Sequence, residues 1–297
     1  MKKKVFTALG LMSGTSMDGV DLSIIKTDGY NEFTSVLDAY FKYDDNLHKN
    51  LTDLRDKIHK SDDLKKNQKS LIDLEKKLTI FHANIVNEVL YEKEFNIDYI
   101  GFHGQTIYHN ADEKISKQLG DGNLLSQLTK NKVVYNFRQK DLDNGGQGAP
   151  LTPIFHLMLK KKLNLKDTTF INIGGIINST LISSDNILRA TDHGPGMCLV
   201  DAWIRKKTNE RFDINGDIAR AGKIDKLILN QALDNFLFNE EYKINKNDSN
   251  YSIKSFDIND FDISFVKGLS LEDGAATLLE FTAKIIESIL NKNYQSN

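Results

Sequence analysis

Two apolar runs joined by a short turn rich in glycine and hydroxyls occur twice in this chain, and no other feature limits its fold as much. In the first copy, residues 5–12 (VFTALGLM) and then Val20, Leu22, Ile24 and Ile25 read as strands. The turn between them carries Ser13, Gly14, Thr15, Ser16, Asp18 and Gly19. In the second copy, residues 169–173 and 176–182 flank Gly174 and Gly175. Small residues let a backbone close on a ligand and aim its N–H groups at an anion. The hydroxyls add donors, and Asp18 suits a metal or its waters. This is no Walker loop, because the Gly-Lys-Ser/Thr end and the following helix are both missing. An ordinary glycine-rich hairpin fits the turn alone equally well.

Composition narrows the partners. At 297 residues the chain has room for two domains and a sizeable core. A net charge of −2 supplies no long-range pull toward nucleic acid or a membrane surface. Lys65, Lys66, Lys69, Lys76 and Lys77 alternate with Asp73 and Glu75 and read as a solvated helix face. Cys198 is the single cysteine, which excludes an internal disulfide and suits a reducing compartment, the cytoplasm. No apolar run of membrane-spanning length occurs. Lys2, Lys3 and Lys4 ahead of VFTALGLM imitate a secretory signal, but the run is short and leads into SGTSMDG, so it reads as the first strand.

Strand-like and helical stretches alternate along the chain, which indicates an α/β fold. Residues 33–43 read as a strand and residues 46–94 as a long helical region, with Leu71, Leu74, Leu78, Phe81, Ile85 and Val89 on one face. Short strands follow at 98–102, running into GFHGQT, and at 133–137, running into RQKDLDNGGQGAPLTP. Return of the strand–turn–strand unit half a chain later predicts two related halves facing a cleft. The glycine cluster at 143–149 marks the seam, giving residues 1–143 and 144–297. A strand at 187–191 runs into DHGPGMCLVDAW, with a helix from near Met197; residues 214–222 (INGDIARAG) read as a polar glycine loop. Residues 242–250 read as a mobile surface segment. A final amphipathic helix spans 270–291, with Leu271, Ala275, Leu278, Leu279, Thr282, Ile285, Ile286 and Ile289 on one face and Ser270 with Asp273 at its start.

Polar groups gather at the predicted strand ends, where open α/β sheets place their ligands. His103, Gln105 and Thr106 follow one strand, Arg138, Asp141 and Gln147 another, Asp192 and His193 a third. A lone histidine such as His103 is more often structural than catalytic. Arg138 suits a carboxylate or phosphate, or an ion pair with Asp141 or Asp143. Asp192 precedes the Gly194-Pro195-Gly196 turn, whose amides would share its space; as a helix cap it stands too far upstream. The seven histidines show no zinc spacing with cysteine.

Taken in order, LMSGTSMDGVD, GFHGQT, NFRQKDLDNGGQGAPLTP, NIGGIIN, DHGPGMCLVDAW and INGDIARAG resemble the anhydro-N-acetylmuramic acid kinase family. That family belongs to the superfamily of sugar kinases, heat-shock chaperones and actin. The resemblance implies two ribonuclease-H-like, actin-like ATPase domains around a nucleotide cleft. It further implies opening of a 1,6-anhydro ring with phosphorylation of O6, using ATP and Mg²⁺ and yielding N-acetylmuramic acid 6-phosphate in peptidoglycan recycling. Gly14, Thr15, Ser16, Met17, Asp18, Gly19, Val20 and Asp21 would form the phosphate loop, joined by Gly174 and Gly175, with Asp18 toward the metal. Asp192 matches the catalytic aspartate, and His103, Gln105, Arg138, Gln147, Gly194 and Gly196 fall to the sugar. A homodimer is implied by the resemblance alone.

The match departs from the family in two places. Family members continue past the last helix with a strand, a Gly-Gly-Gly-Asn turn and further helices. The second domain is therefore expected to be incomplete, with one side of its sheet uncovered and either an exposed apolar patch or a partner filling it. KSFDIND, residues 254–260, keeps only part of a family block, with Ile258 where relatives tend to carry arginine. A kinase of another amino sugar and a shortened, non-catalytic sugar- or nucleotide-binding homologue stay open as alternatives.

Overall fold

The computed structural model describes residues 4–93, 95–238 and 255–294. By internal contacts the chain divides into two compact units, Met1–Thr168 with Ile182–Leu188, and Thr169–Leu181 with Arg189–Asn297. The division falls at Thr168, beyond the glycine cluster at 143–149, because the helix and loop after that cluster pack with what precedes them. The mixed α/β composition and the two sheets agree with a two-domain actin-like ATPase fold.

In the first unit, β1 (Phe6–Ser13) and β2 (Gly19–Thr27) pair antiparallel across the glycine turn, and β3 (Phe33–Lys42) continues the meander. Then β4 (Tyr99–Asn110) lies parallel to β1 and pairs antiparallel with β5 (Ile115–Leu119). The sheet order is β3-β2-β1-β4-β5, with β6 (Val133–Tyr135) parallel to the first half of β4. Leu9, Leu11, Val20, Leu22, Ile24, Ile100 and Phe102 are buried against helices.

The expected single helical region is three helices, α1 (Asp45–Arg55), α2 (Ser61–Lys66) and α3 (Gln68–Lys93). Asp44 caps α1 by accepting the Leu47 amide, as short acidic side chains do at an N-cap. The apolar face expected on α3 is the buried one at Leu71, Leu74, Leu78, Ile85 and Val89, and Lys69, Lys76 and Lys77 are exposed. After α4 (Gly122–Thr129), α5 (Gln139–Asp143) and α6 (Pro153–Lys162) close this unit.

Two strands run differently from expectation. GFHGQT lies inside β4 rather than after it, because the antiparallel partner β5 extends the strand through polar residues. The strand expected at 133–137 stops at Tyr135, where Asn136 takes a positive φ of 59°.

The second unit holds β7 (Thr168–Ile173), β8 (Ile176–Ile182) and β9 (Leu188–Pro195) in that order. Asp192 sits within β9 instead of ending a strand, since the pairing runs on to Pro195. Helices α7 (Cys198–Lys207), α8 (Asp217–Ala221), α9 (Lys226–Phe238) and α10 (Leu271–Tyr294) surround a core centred on fully buried Trp203. The expected INGDIARAG loop is a 3₁₀ turn followed by α8. Ser270 Oγ accepts the Asp273 amide at 3.1 Å, but the Asp273 carboxylate turns to the Lys223 amide instead of completing a capping box. Leu279, expected on the buried face, is exposed and lines an open groove of about 480 Å³ with Ile224, Ala276 and Arg220. The segment expected to be mobile, residues 242–250, lies outside the described residues. Among the described residues, no helix is long and apolar enough to cross a membrane.

One buried polar chain gives the first unit a pH dependence. His82 on α3 is fully buried, with Nδ1 donating to Leu78 O at 2.8 Å. Its Nε2 lies 3.4 Å from Ser13 Oγ, which in turn is 2.7 Å from the Tyr43 hydroxyl. Burial holds His82 down at about 4, below its ordinary 6.5. The folded chain keeps this ring neutral while the unfolded chain takes up a proton below 6.5, so stability is full above that pH and falls as pH drops toward 4. The unfolding free energy from urea titrations should fall across this window, by about 3 kcal/mol for His82. His82→Gln should flatten that fall, and an unchanged pH slope in the variant would remove His82 as its source.

Candidate active site

The first glycine turn is held from beneath by its carbonyl oxygens. Gly14 O accepts from Gln105 Nε2 at 2.8 Å and Thr15 O from Arg55 Nη1 at 3.1 Å. Met17 O accepts from His48 Nδ1 at 2.7 Å, and Asp18 O from the Tyr43 amide at 2.9 Å. In a planar trans peptide the next N–H points opposite to the carbonyl. Anchoring Gly14, Thr15 and Met17 inward therefore turns the amides of Thr15, Ser16 and Asp18 outward. Among the described residues none of these three amides meets a protein acceptor. The Met17 amide closes the turn on Gly14 O at 3.2 Å. Three outward N–H groups on one short turn form an anion cradle.

The glycines of this turn divide by cause. A Cβ on Gly19 would run into Phe41 O and the Tyr40 ring, so the chain's own packing demands glycine there. At Gly14 the nearest atom to an added Cβ is Ser16 Oγ, 3.8 Å away. Nothing in the protein forbids a side chain at Gly14, and its absence leaves the backbone there open to close approach.

Ser16 Oγ donates to Asp18 Oδ1. Loss of solvent and then the charge of Asp18 raise Asp21 above the ordinary carboxylate value. Among the described residues no three His, Cys, Asp or Glu side chains converge on a metal position. Two neighbouring carboxylates nevertheless fit Mg²⁺, which takes one or two protein carboxylates and fills its shell with waters and substrate phosphates. Val20 is buried in the sheet core and supplies backbone only.

Gln105, expected at the sugar, is fully buried and serves the turn; its Oε1 has no hydrogen-bond partner. Two residues earlier on β4, His103 Nδ1 donates to Gly104 O at 2.7 Å and Nε2 accepts from Arg138 Nε at 3.0 Å. Burial, then the Arg138 charge, pushes His103 down to about 4, so it is a neutral ring that orients Arg138. Arg138 Nη1 also donates to Gly148 O at 2.7 Å, and the Gly148 amide donates to Asp141 Oδ2. The guanidinium is thus held by the protein itself, and Gln147 is half-buried in the same loop as Gly148.

In the second unit the two remaining glycine turns interlock. Met197 N donates to Gly174 O and Gly196 N to Gly175 O, both at 2.8 Å. Thr282 Oγ1 on α10 donates to Gly196 O at 2.7 Å. A Cβ at Gly196 would strike Gly174 O, and Gly194, at φ +149°, faces the Phe236 ring. Both glycines therefore have a packing role. Asp192 is buried on β9, and its Oδ2 accepts the Phe256 amide at 2.9 Å. His193 points its Nε2 at Ser179 Oγ, 2.6 Å away on β8. Of the KSFDIND block, Lys254 lies outside the described residues; Asp257 and Asp260 form a reciprocal cap around the 3₁₀ turn at Ile258–Asp260.

Sequence reasoning missed His48, Arg55 and Thr282. The two on α1 sit in a polar helix with no motif around them, and Thr282 was visible only as a member of an apolar face.

The anhydro-N-acetylmuramic acid kinase family model matches residues 6–297. The chain belongs to that family. It is 52% identical to the anhydro-N-acetylmuramic acid kinase of Pelagibacter ubique (strain HTCC1062) over 99% of this chain and 77% of that protein. The enzyme of the same name from Agrobacterium fabrum is 38% identical over 95% of this chain and 75% of its own length. That from Brucella canis is 38% identical over 94% and 74%.

The contrast between the two loop glycines is testable in this family member. Gly14→Ala should leave thermal stability within about 0.5 kcal/mol of wild type, as expected where no neighbour is displaced. Gly19→Ala should cost about 1–3 kcal/mol through overpacking. Equal melting temperatures for the two variants would contradict the steric assignment.

Proposed function

We propose that the chain is an ATP-dependent kinase of 1,6-anhydro-N-acetylmuramic acid, opening the anhydro ring with water and phosphorylating O6 to N-acetylmuramic acid 6-phosphate. The observation that carries this reading is the loop in which the Gly14, Thr15, Met17 and Asp18 carbonyls are anchored inward and the Thr15, Ser16 and Asp18 amides face out. Family membership supports the same reading. In it, residues Gly14 to Asp21 hold the phosphates of ATP, Gly174 and Gly175 add a second turn, and Asp18 with Asp21 holds Mg²⁺. When bound, the triphosphate supplies the phosphoryl group and the metal neutralises the charge that develops on it.

The protein's own part is orientation and proton movement. Arg138, fixed by His103 and Gly148 O, offers a planar donor pair suited to the sugar's carboxylate. Asp192, oriented by the Phe256 amide, takes the proton of the attacking water. That water bonds to the anomeric carbon through an oxocarbenium-like state while the bond from that carbon to O6 breaks. The departing O6 keeps the electron pair and accepts the phosphoryl group, and outward amides oppose the charge on the transferring oxygens. Dependence on ATP places the reaction in the cytoplasm, where recovered cell-wall sugar re-enters metabolism.

Asp192→Asn should lower kcat by about 10²–10⁴, the usual worth of a general base, while the KM for ATP stays near wild type. A coupled ADP-release assay with the anhydro-sugar measures both. Near-wild-type turnover would remove Asp192 from the mechanism. ADP release with ordinary hexosamines but none with the anhydro-sugar would reassign the substrate.

A further inference from the structure

Helix α1 touches the glycine turn through two side chains that no motif marks. His48 Nδ1 donates to Met17 O at 2.7 Å, and Arg55, itself buried, donates from Nη1 to Thr15 O at 3.1 Å. Met17 is the residue that most needs holding. It is not glycine, yet its φ is 55°, a left-handed conformation that L side chains avoid. Its side chain is fully buried, so the strained peptide is gripped at the side chain on one side and the carbonyl on the other. Strain of this kind persists only where the surroundings over-determine it, and it gathers at ligand clamps. The helix is a firm base: Leu47, Leu51 and Leu54 are buried and Asp44 caps its start.

We propose that His48 and Arg55 are positioning residues that hold the phosphate loop in its binding form, with His48 fixing the left-handed peptide at Met17. The proposal rests on the kinase reading above for what the loop binds. Their role is exerted through the Met17 and Thr15 carbonyls. His48 anchors Met17 O and so aims the Asp18 amide, and Arg55 anchors Thr15 O and so aims the Ser16 amide. Loss of the His48 donor lets the Met17–Asp18 peptide rotate out of its strained orientation, and a phosphate donor is lost with it. The conservative partner is asparagine, whose side-chain N–H offers the same donor near the Nδ1 position.

The test is nucleotide binding measured apart from turnover, by titrating ADP with Mg²⁺ into wild type, His48→Leu and His48→Asn, alongside their ligand-free melting temperatures. His48→Leu should weaken ADP about five- to tenfold, the worth of one net hydrogen bond. His48→Asn should recover most of that affinity. In steady-state assays the KM for ATP should rise in His48→Leu with the KM for the anhydro-sugar unchanged. Should His48→Leu fail to fold, His48→Ala takes its place against the same asparagine variant. Equal ADP affinity in all folded variants overturns the proposal, as does weak binding that asparagine leaves unrepaired. Failure of the wild type to bind ADP would instead sink the kinase reading, and this inference with it.

Discussion

A peptide that has given its carbonyl oxygen to the protein interior has its N–H group facing the other way, and the candidate site depends on that constraint. Gly14, Thr15, Met17 and Asp18 each surrender a carbonyl, to Gln105, Arg55, His48 and Tyr43 in turn. The Thr15, Ser16 and Asp18 amides need no rearrangement to meet an anion. Such preorganisation matters because donors already aimed cost nothing to orient when charge arrives. The helix α1, the strand β4 and the start of the loop therefore form one mechanical unit, and the sheet core beneath them is what keeps the amides in place.

The same device appears in the second unit with different donors. There the carbonyls of Gly174, Gly175 and Gly196 are taken by Met197, by Gly196 and by Thr282. Glycine at 196 is required because the two turns touch backbone to backbone. Asp192 is placed on a paired strand, which is more rigid than a loop, and its carboxylate is oriented by the Phe256 amide. Polar groups in both units thus act mostly on one another, as His103 does in fixing Arg138.

Much of this was readable along the chain. Small residues between two apolar runs marked the glycine turns, and the spacing of Leu71, Leu74 and Leu78 marked the buried face of α3. The strand expected at 98–102 runs on through GFHGQT, whose polar residues break the alternation expected of a half-buried strand. His103 and Gln105 are buried all the same and satisfy their neighbours inside the fold. Leu279 misled in the opposite direction: periodicity assigned it to the core, yet that side of α10 opens on a groove.

By itself the sequence determined where the chain must turn, which runs must pair, and which family it belongs to, since these follow from side-chain size, period and local order. The tertiary structure alone decided which way each peptide of the phosphate loop faces. The donors that set those orientations lie 31 to 91 residues from the carbonyls they hold in the case of His48, Arg55 and Gln105. No local pattern encodes a hydrogen bond of that reach, because it exists only once the sheet and α1 have packed around a common core.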